Sequence, residues 1–264
     1  MSDVLIEKNL NKAKSLLING KLIEGSNLLN SIINNFPQNQ KVQFVIQQLK
    51  QSSLKQSNPS KEQIDTLLKY YKNGELINAE NLALSLTQEF PRHAFGWKVL
   101  GVILGDMGRK IEALNALQKA LEIAPQDTRT HNNLGNILKR LGRFEEAELS
   151  FKQSIKLNPK SALAHNNFGT MLREVERFDE AKMSFEQAIR LDPEFALAYN
   201  NLGLAFVDLR KYDNAQKNYT QSLKLNPNLS QAYYNLGVLF YTQGKATKHL
   251  KCFLNAISLD PDNI

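Results

Sequence analysis

The chain has 264 residues, 42% of them hydrophobic and 22% charged, and carries a net charge of +7. This composition is too apolar for a disordered chain, yet no stretch approaches the roughly 18 consecutive apolar residues of a membrane-spanning helix. The single cysteine, Cys252, excludes a disulfide framework, a four-thiolate metal site and a Cys-x-x-Cys redox pair, which points to a reducing, cytoplasmic setting.

The first residues, Met1 to Lys8, include acids where a secretory signal would need a basic flank and a long apolar run. Residues 4–37 read as an irregular helical hairpin. A helix runs through Leu16-Leu17, Gly20 makes the turn, a second helix runs through Leu28-Leu29-Ile32-Ile33, and Phe36-Pro37 ends it. A further helix is predicted near 40–50, so residues 1–50 form one N-terminal region. Residues 51–59, Gln51 to Pro59, are polar enough for a linker. The excess positive charge is concentrated here: residues 1–59 hold seven lysines against three acids, and residues 60–264 hold 26 basic against 23 acidic residues. In the longer part basic and acidic residues alternate, as in Arg140-Leu141-Gly142-Arg143-Phe144-Glu145-Glu146. That pattern reads as a solvated helix surface, not a nucleic-acid interface.

From residue 60 onward one period dominates. Six of the eight prolines, Pro91, Pro125, Pro159, Pro193, Pro227 and Pro261, stand 34 residues apart. Gly101, Gly135, Gly169, Gly203 and Gly237 keep the same spacing, as do Ala79, Ala113, Ala147, Ala181 and Ala215. So do Leu117, Phe151, Phe185, Tyr219 and Phe253, and a column of large rings at Trp97, His131, His165, Tyr199 and Tyr233. Within one unit Tyr199, Leu202, Gly203 and Phe206 fall at i, i+3, i+4 and i+7, one face of a helix. A break follows, with Gly74, Gly108, Gly142 and Gly244 suited to a left-handed cap; Glu176 and Arg210 hold that column in two units. A second helix then faces back through its alanine and ring, and the proline stops it. The fold class that follows is all-α: a right-handed α-solenoid of antiparallel helix pairs with a 34-residue repeat, each pair buried only by its neighbours. Residues 60–264 make six units, ending at the six prolines. Pro37 to Pro91 is 54 residues, one unit plus 20, so a kink or hinge is expected between the N-terminal region and the array. After Pro261 only Asp262-Asn263-Ile264 remain, which reads as a truncated product or a piece of a longer chain.

These columns resemble the tetratricopeptide repeat. Trp97-Lys98-Val99-Leu100-Gly101 is similar to its W-x2-L-G segment, Ala147-x3-Phe151 to its A-x3-F segment, and the periodic prolines to its closing position. The resemblance implies a concave groove lined by the first helix of each unit, and a function in holding a protein or peptide. It covers residues 60–264.

Asparagines stand out on that helix. Asn133, Asn167, Asn201 and Asn235 precede successive prolines by 26 residues, and Asn132, Asn166 and Asn200 precede the first three of them. Asparagine weakens a helix interior by roughly half a kcal/mol relative to alanine, so its recurrence implies that the amide is used. Two uses are open: binding the main chain of an extended peptide, or bonding one unit to the next. The ladder resembles that of O-linked N-acetylglucosamine transferases. Asn136, Lys139, Arg173, Tyr234 and Tyr241 complete the groove candidates. A clamp for a chaperone's terminal carboxylate is not formed, because Val102 follows Lys98 where such a clamp needs asparagine, and basic partners are lacking at Leu163 and Leu197.

No catalytic signature is found: no phosphate loop, no Gly-x-Ser-x-Gly and no His-Glu-x-x-His. His131 and His165 read as packing residues in the ring column, His93 as exposed in a link, and His249 as a large residue in the alanine column that should loosen the last hairpin. The chain is therefore read as a non-enzymatic scaffold without cofactor or metal, binding a protein or peptide but neither nucleic acid nor membrane. The alternative is the substrate-recognition arm of a larger transferase, a glycosyltransferase or sulfotransferase, whose catalytic domain lies outside this chain.

Overall fold

The computed structural model describes residues 3–18, 22–44 and 58–261. The turn expected at Gly20, most of the helix expected near 40–50, and residues 51–57 of the expected linker lie outside them. The described residues contain helices and no strand, and the chain divides into two compact units, residues 1–66 and 67–264.

In the first unit, α1 (Asp3–Ile18) and α2 (Leu22–Asn35) pair, and residues 40–44 are again helical. Ile6, Leu10, Ile32 and Val42 are buried together, with Leu28, Leu29, Ile33 and Phe36 packed against them.

The second unit is the solenoid. After α3 (Lys61–Lys72) and α4 (Leu76–Glu89) come five more pairs: α5 (Ala94–Asp106) with α6 (Lys110–Ile123), α7 (Thr128–Arg140) with α8 (Phe144–Leu157), α9 (Ala162–Glu174) with α10 (Phe178–Leu191), α11 (Ala196–Asp208) with α12 (Tyr212–Leu225), and α13 (Ser230–Thr242) with α14 (Ala246–Leu259). From α5 to α14 each second helix packs on its own first helix, and α4, α6, α8, α10 and α12 each pack on the first helix of the next unit. One hydrophobic core runs from Leu67 through Leu117, Phe151, Phe185 and Tyr219 to Cys252. Successive first helices also touch one another, more closely than successive second helices do. The first helices therefore lie on the inside of the stack's curve.

The glycine column explains the hairpin. A Cβ on Gly101, Gly135, Gly169, Gly203 or Gly237 would lie 2.5–2.8 Å from Leu117, Phe151, Phe185, Tyr219 or Phe253 of the paired second helix. The ring occupies the space of the missing side chain. Tyr219, almost fully buried, has its phenol pushed well above the usual range by desolvation. The turns share one geometry whatever their sequence. Gly74, Gly108, Gly142 and Gly244 take φ of 70–79°, and Glu176 and Arg210 take 60° and 59°. In each turn the next N–H bonds back to the first helix; Arg143 donates to Leu138 O and Arg177 to Leu172 O, both at 2.9 Å.

The ring column closes the link between units. Trp97 Nε1 donates to the carbonyl of Pro91 at 3.2 Å, and the Nε2 atoms of His131 and His165 meet the carbonyls of Pro125 and Pro159 at 2.9 and 3.1 Å. A ring nitrogen is what Trp and His have in common. Burial lowers the His165 pKa, the Pro159 carbonyl opposes this, and Arg190 adds slightly to the lowering. In the last unit His249 lies edge-on to Tyr241 and Phe253, and its buried Nδ1 has no partner.

The turns and the glycine contact each yield a prediction for stability, and the ring column yields another, for pH. Glu176→Gly and Arg210→Gly should each raise stability by about 1 kcal/mol, because a left-handed non-glycine residue costs about 1–2 kcal/mol. Gly203→Ala should lower stability by roughly 1–3 kcal/mol through overpacking against Tyr219. Urea midpoints read both. The third concerns pH. Because the folded pKa of His165 is lowered, its contribution is complete above the ordinary imidazole range and is lost as pH falls through that range toward the folded value. Stability should therefore fall between about pH 7.5 and pH 6, and fall less in His165→Tyr, which carries the residue of the next unit.

Candidate functional site

The inner side of the second unit is built from one strip of each first helix. The candidate asparagines lie on this strip, and the structure joins most of them to one another. Asn132, Asn166, Asn200 and Asn235 are buried, while Asn133, Asn136, Asn167 and Asn201 are partly exposed. Asn235 Nδ2 donates to Asn200 Oδ1 at 2.9 Å, Asn201 Nδ2 to Asn166 Oδ1 at 2.9 Å, and Asn167 Nδ2 to Asn132 Oδ1 at 3.1 Å. Within each doublet the link is longer: Asn200 donates to Asn201, and Asn166 to Asn167, both at 3.4 Å. Gln231 Nε2 reaches Asn235 Oδ1 at 3.2 Å. An unbroken amide chain thus runs from Gln231 through α13, α11 and α9 to Asn132 on α7, and every donor that crosses between units is aimed at the preceding unit. Aligned amides of this kind polarise and strengthen one another.

Each rung joins residues 35 apart, one more than the repeat. The same offset recurs in the charged groups beside the ladder. Tyr71 Oη donates to Asp106 Oδ2 at 2.6 Å, Lys139 Nζ to Glu174 Oε1 at 2.8 Å, and Arg173 Nε to Asp208 Oδ2 at 2.5 Å. Tyr71 is raised to about 12 by desolvation and by the Asp106 carboxylate. The candidates Lys139 and Arg173 are therefore held in bridges between units. Lys98 is similarly engaged, with Asp127 at 2.7 Å. Burial pushes the Asp127 pKa up, but Lys98 and the N–H of Thr130 outweigh it and hold the carboxyl below its ordinary range.

The strip changes character along the array. Toward the N-terminal end Asn133 and Asn136 make no side-chain hydrogen bond among the described residues, and they line a pocket of about 260 Å³ between α5 and α7. Toward the other end the surface is apolar and aromatic. Tyr234 is exposed beside Phe253, its ring centroid 5.7 Å away, and Tyr241 is 67% exposed. Sequence reasoning passed over Val102, Gly105 and Arg140, which also line the pocket. The signal was available: Gly105 stands in the column that holds Lys139, Arg173, Val207 and Tyr241.

Three of the basic residues at the starts of the second helices, Arg109, Arg143 and Arg177, are likewise matched. Arg109 meets Glu80 at 2.5 Å and Glu112 at 2.6 Å, and Arg177 meets Glu148 and Glu180, both at 2.7 Å. Among the described residues no group of three or more His, Cys, Asp and Glu is placed to hold a metal ion. No helix among them is long and apolar enough to cross a membrane.

Family models described as tetratricopeptide repeat or TPR repeat match residues 97–127, 128–161, 169–210, 203–244 and 230–263, together more than half of the chain. The chain belongs to the tetratricopeptide repeat family. Tetratricopeptide repeat proteins bind peptides or proteins. Among solved structures, a crystal structure of MamA is 25% identical, with a TM-score of 0.52, and the match covers 61% of this chain and 95% of that one. The PilF protein of Pseudomonas aeruginosa is 20% identical, with a TM-score of 0.64, covering 76% and 92%. The Cut9–Hcn1 hetero-tetramer of the APC/C is 18% identical, with a TM-score of 0.71, covering 97% and 53%. The latter two show the shared solenoid fold alone. A search of the curated proteins found no match.

The ladder separates two kinds of asparagine in this repeat array. Asn200→Ala removes an acceptor from Asn235 and a donor from Asn201 in a buried place, and should cost about 1–3 kcal/mol of stability. Asn133→Ala, with no protein partner to orphan, should leave the urea midpoint within the spread of surface substitutions, about 0.5 kcal/mol.

Proposed function

We propose that the second unit is a protein-interaction scaffold that binds an extended segment of another protein along the inner strip of its first helices. One observation carries this reading. The strip presents exposed and half-exposed groups of complementary character, amides at Asn133 and Asn136 and rings at Tyr234 and Tyr241, on helices whose opposite faces are used up in stacking. Asn167 and Asn201, both partly exposed, each spend one amide proton on the ladder and keep a second for a ligand carbonyl. Affinity would come from apolar contact at the aromatic end and from amide bonds worth about 1 kcal/mol each. The repeat supplies surface, not chemistry, so the reading is of a non-enzymatic protein without cofactor. The pairing of Arg109, Lys139, Arg143, Arg173 and Arg177 with carboxylates supports a protein ligand over a nucleic acid. The lone Cys252, buried with its thiol pKa raised by desolvation, suits a cytoplasmic setting.

The substrate-recognition arm of a larger transferase would use the same groove, and a reading frame that continues past Ile264 into a catalytic domain would select it. The groove itself is tested by pull-down and peptide mapping with three forms of the full chain. A captured segment should be lost from Tyr234→Ser/Tyr241→Ser and kept by Leu149→Ser/Met183→Ser, whose side chains are exposed on second helices. The reverse pattern would place binding on the outer face and end this proposal.

A further inference from the structure

The pocket between α5 and α7 lies beside Gly105. The column that carries Lys139, Arg173, Val207 and Tyr241 in later units holds Gly105 in this one. The absence of a side chain there lets Ile137 Cδ1 come within 2.8 Å of where a Cβ on Gly105 would stand, so Ile137 and the bare Gly105 backbone together form one wall of the pocket. What remains is a pocket of about 260 Å³, room for one side chain of leucine or phenylalanine size. Val102, Leu117 and Ile137 give it apolar walls.

Its rim is polar and unequally satisfied. Asp106 accepts from the Tyr71 hydroxyl and keeps its negative charge, while Lys139 is paired with Glu174. The side chain of Arg140 has no carboxylate partner among the described residues, and the Lys110 ammonium sits on the Arg140 carbonyl at 2.9 Å, adding a second positive charge nearby. Asn133 and Asn136 offer amides outside the ladder. With Arg140 and Lys110 set against the single Asp106 carboxylate, the rim keeps a net positive charge on the Arg140 side and free amide donors and acceptors over an apolar floor.

We propose that this pocket is an anchor site that receives one leucine- or phenylalanine-sized side chain of the bound segment, with an acidic residue beside it facing Arg140. This rests on the groove reading above and adds to it the position and chemistry of the anchor. The main chain flanking the anchor meets Asn133 and Asn136, the amides that the ladder leaves unused. Charge at the rim selects among segments that share the apolar anchor.

The test uses synthetic 15-residue peptides in a Gly/Ser background, with a central Leu or Phe flanked by Asp, the same anchors flanked by Lys, and a central Ser flanked by Asp. Binding to the isotopically labelled full chain is followed by amide chemical shifts, which register weak complexes. The Asp-flanked anchors should shift the signals of Val102, Gly105, Asn133 and Asn136, and should bind about tenfold more tightly than the other two sets. Val102→Phe, which fills the pocket from its wall, should remove this binding; Arg140→Glu, on an exposed side chain, should reverse the preference between Asp and Lys flanks. Circular dichroism melting shows that each variant is folded. Wild-type affinity in a folded Val102→Phe variant, or an unchanged flank preference in Arg140→Glu, would overturn the anchor. If peptides bind and only Tyr234→Ser/Tyr241→Ser releases them, the groove stands and the anchor falls. If no peptide binds the wild-type chain, both readings fail.

Discussion

The array depends on a ring laid against a glycine. Where Phe151, Phe185 or Tyr219 of a second helix meets Gly135, Gly169 or Gly203 of the first, the helices approach closer than any side chain would allow. That contact sets the hairpin, and the hairpin presents an apolar face that only another hairpin can cover. Burial follows the coverage. Tyr219, between two units, is 1% exposed; Phe253, in the same column at the end, is only partly buried, and Ile257 and Leu259 beside it are exposed. Close approach of the first helices to one another then bends the stack toward their side and creates the inner strip.

Much of this was legible in the sequence because periodicity reports packing directly. The proline, glycine and ring columns mark the end of one helix, a close crossing and the side chain that fills it, and the structure has each in its expected role. The turns at Glu176 and Arg210 were legible only as exceptions. Their left-handed φ shows that the stack imposes the turn even where the residue disfavours it, with neighbouring contacts supplying the roughly 1–2 kcal/mol. The ring column was read as packing, which left out its second property. Trp97, His131 and His165 each put a ring nitrogen on the carbonyl of the proline six residues before, and a search for ring donors at that spacing would have found it.

The site was less legible, for a geometric reason. Columns compare residues 34 apart, whereas side chains on the inner strip meet at 35, since each unit is turned relative to the last. A repeat alignment shows what recurs, not what touches. Read at 34, the asparagines form two parallel rows that could serve a ligand or the stack. Read at 35, they form rungs, and the neighbouring pairs Lys139–Glu174 and Arg173–Asp208 obey the same rule. The pocket escaped for the opposite reason: it is a departure from the column, visible only when Gly105 is compared with the larger residues that replace it later.

The offset of one also accounts for the doublets. A single asparagine per unit could not meet its like, because the residue facing it in the preceding unit is one position earlier. Two in succession can: the second of each doublet reaches the first of the doublet before, as Asn201 reaches Asn166 and Asn167 reaches Asn132. The requirement lapses at the ends. Asn235 closes the ladder on Asn200, so the position before it is free to be Tyr234. At the other end Asn133 would need an asparagine at position 98, where Lys98 instead bridges to Asp127. Asn133 is left without a rung in the unit next to Gly105, where both line the pocket. Interior doublets thus hold the stack in register, and the groups left over gather where the ladder stops, an amide and a cavity at one end and exposed rings at the other.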